Sequence, residues 1–91
     1  MSYKYVITFD DDSTSNSSLF DTVEEVYAAL PFDWKYYEEV IGGDRIEDVK
    51  YLKEQLDLEC AISVYDARIQ DLFAIKPIAY NVADVTIEIV N

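Results

Sequence analysis

Apolar and polar residues alternate with a period of two near both ends of the chain. Tyr5, Ile7 and Phe9 alternate with Lys4, Val6 and Thr8, which predicts a first strand over residues 3–9. Val85, Ile87 and Ile89 oppose Thr86, Glu88 and Val90 and predict a last strand over residues 82–90. Cys60, Ile62 and Val64 mark another strand over residues 59–65, with Asp66 and Ala67 as a turn. Residues 68–75 fit either period, because Ile69, Leu72 and Phe73 also suit a helix, and strand is the reading favoured here. Pro77 bars a central strand position just beyond.

Between these strands the period changes to that of a helix. Residues 21–30 predict a first helix, with Val23, Val26, Tyr27 and Leu30 on one stripe, Asp21 as cap and Glu24 three residues on. Pro31 ends it. A second, short helix runs over residues 33–41, capped by Asp33 and buried through Trp34, Tyr37 and Ile41, with Gly42 and Gly43 as the stop. The third spans residues 44–56, where Asp44 caps, Glu47 completes the capping box, and Ile46, Val49, Leu52 and Leu56 recur on one face. Residues 10–18 read as a polar surface loop. As a calcium loop, Asp10, Asp12 and Asp21 match an EF-hand frame, but Thr14 and Ser15 break it. The order β-α-α-α-β-β-β predicts a single small α+β domain over residues 1–91. About three short helices would cover one face of a mostly antiparallel sheet of three or four strands.

Charge adds what periodicity cannot. The chain of 91 residues has 19 carboxylates, 7 cations and a net charge of −12. Fifteen of the acids and only four of the cations lie between Asp10 and Glu59, which leaves that stretch at −11 and the rest nearly neutral. Self-repulsion on that scale costs stability. Solubility alone would not require the charge to be concentrated. A basic partner is the other reason for such a charge, and the asymmetry favours it. The 51% hydrophobic and 14% aromatic content separates the chain from disordered acidic tails.

Most catalytic chemistry lacks its residues. There is no histidine, so Ser–His and Cys–His arrangements are excluded. Cys60 is the only cysteine; it reads as an apolar filler, forms no internal disulfide and suits a reducing compartment. Zinc clusters and glycine-rich nucleotide loops are missing, the only glycines being Gly42 and Gly43. No cofactor or metal is expected, and the chain reads as a non-enzyme. Phosphates and anionic lipids would both be repelled, which argues against direct nucleic-acid or membrane binding. The start carries no signal-peptide apolar run, so a cytoplasmic location is expected.

What remains is association through charge. Residues three or four apart on a helix sit ~5–6 Å apart, a spacing comparable to that of phosphates along a DNA strand. In size, charge, lack of disulfides and tyrosine-rich acidic helices, the chain resembles the small acidic inhibitors of phages and mobile elements. These include DNA-mimic anti-restriction proteins, anti-CRISPR proteins and uracil-glycosylase inhibitors. The resemblance is of surface, with no shared motif. It implies inhibition of a basic nucleic-acid-binding protein through its DNA- or RNA-binding surface. An immunity protein against a nuclease toxin is the second reading. The third is a homodimeric structural or assembly protein whose acidic face is only solvation and whose interface is an apolar patch near Tyr36, Tyr51, Tyr65 or Tyr80, although most of these tyrosines are expected at the core or its boundary.

Glu38 and Glu39 fall near the C-terminus of the second helix, where the dipole disfavours anions by a few tenths of a kcal/mol or so each. No local gain is evident in the sequence. They head the candidate partner-facing patch of Glu38, Glu39, Asp44, Glu47 and Asp48, with Asp33 and Tyr37 at its edge. Reversing Glu38 and Glu39 to lysine is expected to weaken partner binding while leaving the fold intact.

Overall fold

The elements run β1 (Ser2–Phe9), β2 (Thr14–Asn16), α1 (Val23–Ala28), α2 (Trp34–Tyr36) continued by a π-helical turn (Tyr37–Ile41), α3 (Arg45–Leu56), β3 (Ala61–Ser63), α4 (Ile69–Leu72), α5 (Lys76–Ala79) and β4 (Val82–Val90). This computed structural model describes residues 1–58, 61–65 and 69–91. The expectations for Glu59, Cys60, Asp66, Ala67 and Arg68 lie outside the described residues. The four strands form one antiparallel sheet in the order β2-β1-β4-β3. The chain is therefore α+β, with the two terminal strands side by side at its centre.

Register separates the two faces of the sheet. Tyr3, Tyr5 and Ile7 stand opposite Ile89, Ile87 and Val85, and Ile62 stands opposite Ile87. This face joins the core, in which Val85 and Ile87 are fully buried together with Val26 of α1 and Phe73. On the other face Lys4 stands opposite Glu88, with 3.8 Å between the charges, and Thr8 opposite Asp84. Among the described residues the helices pack on the first face, through the core cluster, and the short axis is 20 Å.

Three elements differ from the sequence reading. Residues 10–18 hold a hairpin rather than a loop. The Phe9 amide donates to the Ser13 carbonyl at 2.9 Å, Asp12 takes a left-handed φ of 67°, and β2 pairs with β1 through Val6–Asn16, Ile7–Ser15 and Thr8–Thr14. Every residue of β2 is exposed, so it carries no alternation to read. Residues 69–72 are helical, not a strand, and Phe73 then bridges Phe32. Pro77 sits in the first turn of α5, where the amide it lacks would have no helical partner. The observed order β-β-α-α-α-β-α-α-β is thus richer than the expected one. One cap and one helix face also shift. Thr22, not Asp21, caps α1 by accepting from the Glu25 amide at 3.2 Å. Ile46 is 70% exposed, because the buried face of α3 is Val49, Leu52 and Leu56.

Candidate functional site

The helical layer is organised around Trp34. Asp33 caps α2 by accepting from the Tyr36 amide at 3.1 Å, which sets Trp34 at the start of the helix. The indole packs against Tyr27 at 4.8 Å, Phe32 at 5.4 Å and Tyr37 at 5.5 Å between ring centroids. Its Nε1 donates to the Ala28 carbonyl at 3.3 Å. Trp34, Tyr37 and Ile41 are half-buried rather than buried. Arg45 lies 5.2 Å above the indole and donates to Glu38 through Nε at 3.0 Å and Nη2 at 2.9 Å.

From Tyr37 the helix widens into one π-turn, which ends where Gly42 takes a left-handed φ of 79°. Such turns are rare and frequent at functional sites. This one brings the Tyr37 ring directly over Gly43, where any Cβ would overlap it. Asp44 then caps α3, accepting from the Ile46 amide at 2.9 Å. One turn on, the Tyr27 hydroxyl donates to Asp48 Oδ2 at 2.7 Å, and the Tyr37 hydroxyl donates to the same oxygen. Burial, and after it the bond to Asp48, pushes the Tyr27 phenol well above its ordinary pKa.

Between this corner, α3 and the chain after β3 lies an open cleft of about 470 Å³. Tyr37, Asp44, Glu47, Asp48, Tyr51 and Tyr65 are among its walls, with Phe32, Leu52 and Leu72 contributing apolar surface. Tyr51 is 58% exposed there, and the Tyr65 hydroxyl accepts from Gln70 at 2.8 Å.

The structure thus divides the candidate patch. Tyr37, Asp44, Glu47 and Asp48 line one cleft. Glu38 and Glu39 are exposed on the π-turn beside Val40. Asp33 is exposed but occupied as a cap. Asp48 is half-buried and holds two tyrosines. Glu38 has the local gain that the sequence hid, its pair with Arg45. Glu47 pairs with Lys50 at 3.4 Å, and Lys53 reaches across to Glu24 on α1 and holds that carboxyl below its usual range. Glu39 is exposed and makes no ion pair among the described residues.

Family models, curated proteins and solved structures give no match to this chain.

Spacing did not reveal Tyr65 or Arg45 as parts of this region, because tertiary packing brings them there, whereas Trp34 was already expected on one helix face with Tyr37. Tyr51 was within reach, since it stands four residues beyond Glu47 on the same helix face. Among the described residues no group of three or more His, Cys, Asp or Glu is placed to hold a metal ion. No helix among them is long and apolar enough to cross a membrane. Of the tyrosines named for a homodimer, Tyr36 and Tyr65 are half-buried, whereas Tyr51 and Tyr80 are exposed, against the boundary role expected of most of them.

Proposed function

We propose that this chain is a non-enzymatic acidic binding protein. It inhibits a basic nucleic-acid-processing protein by occupying that protein's DNA- or RNA-binding surface. The observation that carries this reading is where the charge goes. Among the described residues no charged side chain is buried, and only four ion pairs offset the carboxylates. The acidic stretch supplies α1, α2, α3 and the hairpin tip, while the other face of the sheet pairs Lys4 with Glu88. Asp33, Glu39 and Asp44 keep outward negative charge around the π-turn, with Val40, 65% exposed, as an apolar contact among them. Carboxylates at helical spacing meet a basic groove much as phosphates do, and steer association at low salt.

The test is affinity capture from a lysate of the native cells on the tagged full chain, with a salt-step elution. Each recovered protein is then challenged with duplex DNA. A basic nucleic-acid-processing protein that elutes with salt and is displaced by DNA is the expected result. A toxin nuclease as that protein would make the chain its immunity protein. Retention of no basic protein overturns the reading. A homodimer is the alternative favoured by Ile75 and Tyr80, 52% and 79% exposed at the two ends of α5. Light scattering at two salt concentrations decides it.

A further inference from the structure

The cleft beside the π-turn combines three features that a simple solvated acidic face does not need. It is concave, with about 470 Å³ of space, within the range of sites that enclose a ligand. Its walls carry the rings of Tyr37, Tyr51 and Tyr65. Its α3 wall carries Asp44, Glu47 and Asp48. Of these, Asp48 is engaged by Tyr27 and Tyr37, and Asp44 holds the α3 amides. Glu47 is the carboxylate most easily recruited, since its contact with Lys50 is a single exposed pair of 3.4 Å that a better-matched cation can displace. Tyr51 stands four residues after Glu47, so ring and carboxylate share one face of α3.

The same molecule already shows what such a combination holds. Arg45 lies against the Trp34 ring at 5.2 Å while its Nε and Nη2 donate to Glu38 at 3.0 and 2.9 Å. An aromatic face and a carboxylate together grip a planar guanidinium, the first by cation–π attraction and the second by charge-assisted hydrogen bonds. Tyr51 and Glu47 bring the same pair of groups to the cleft wall, with the exposed Lys50 as the only cation on Glu47 among the described residues.

We infer that the cleft receives an arginine side chain of the basic partner, stacked on Tyr51 and paired with Glu47. This rests on the proposed function, and it names the anchor through which a positively charged surface registers on the chain. Arginine suits the site better than lysine because its planar fork stacks and pairs at once, whereas an ammonium is a compact, strongly hydrated point charge. Tyrosine and arginine are also the side chains that most often anchor interfaces.

The test uses the full chain and two defined probes, N-acetyl-arginine methylamide and N-acetyl-lysine methylamide, followed by amide chemical shifts. Saturable shifts centred on Gly43, Glu47, Tyr51 and Tyr65 are expected, with the arginine probe binding at least three-fold more tightly. Tyr51→Ala and Glu47→Gln are each expected to weaken it five-fold or more. Both residues are exposed, and unchanged Trp34 fluorescence verifies the fold. Glu24→Gln on α1 is expected to change nothing. Shifts spread over the whole acidic surface without saturation would overturn the inference, as would equal response to both probes, which would mean attraction by charge alone. A failed probe experiment, with capture of a DNA-displaceable basic protein intact, removes the cleft assignment and leaves the proposed function standing. Arginine binding in the cleft with no such protein captured removes the function instead.

Discussion

Replacing Asp48 by alanine tests whether that carboxylate belongs to the fold or to the partner surface. Its Oδ2 accepts from Tyr27 at 2.7 Å and from Tyr37. Tyr27 is only 7% exposed, so its hydroxyl would lose a charged acceptor with little water to replace it. A hydrogen bond to a charged group contributes about 1.5–3 kcal/mol, and a buried hydroxyl left unpaired costs a similar amount. Tyr37 is half-buried and can regain water, which adds at most ~1 kcal/mol. Asp48 also lies in the first turn of α3, where a carboxylate contributes a few tenths of a kcal/mol or so. Asp48→Ala should therefore destabilise the protein by about 2–4 kcal/mol, a large share of the total for a small domain. Asp48→Asn keeps an acceptor oxygen and should recover about half of that loss. The readout is urea denaturation followed by fluorescence of Trp34, the chain's only tryptophan, which packs at 4.8 Å from Tyr27 and 5.5 Å from Tyr37. Combined with Tyr27→Phe, the two changes should be clearly non-additive. A loss below about 0.5 kcal/mol for Asp48→Ala, or full additivity with Tyr27→Phe, would refute the structural role.

Four further outcomes are expected. Gly43→Ala forces the Tyr37 ring out of its place and should cost about 1–3 kcal/mol in the same urea assay. Asp12→Gly relieves the left-handed φ of 67° at the hairpin tip and should raise stability by about 0.5 kcal/mol in thermal denaturation. Because burial raises the Tyr27 phenol pKa, its contribution is complete below pH ~10, the unfolded value, and falls as pH rises further; urea titrations above that pH should show a decline that Tyr27→Phe lessens. In binding to a captured partner, Glu39→Lys should weaken affinity more than Glu38→Lys, because Arg45 already offsets Glu38; equal effects in a salt-dependent binding titration would contradict this.

The central strands were legible because each buries one face, so the alternation in Tyr5, Ile7, Val85 and Ile87 survives in the sequence. α3 was legible through Asp44 and the repeat of Val49, Leu52 and Leu56. β2 was not, since all three of its residues are exposed and only backbone pairing with β1 makes it a strand. Residues 69–72 form a single helical turn, too short for a period of 3.6 to outweigh alternation. Ile46 kept the apolar spacing of α3 but lies along a shallow groove beside Ala28, Lys50 and Lys53, beyond the part of the helix that is covered. At the candidate site, counting charges picked out the acids on either side of Gly42 and Gly43. It did not reveal which carboxylates were occupied, because Arg45 reaches Glu38 across seven residues and Tyr27 reaches Asp48 across twenty-one.

The most direct test of the acidic surface as a competitor for nucleic acid is a titration of the captured basic protein, bound to labelled duplex DNA, with increasing full chain. DNA is expected to be displaced competitively, with an apparent affinity for the chain that falls steeply as salt rises. A ternary complex, in which the DNA stays bound while the chain also binds, would contradict it.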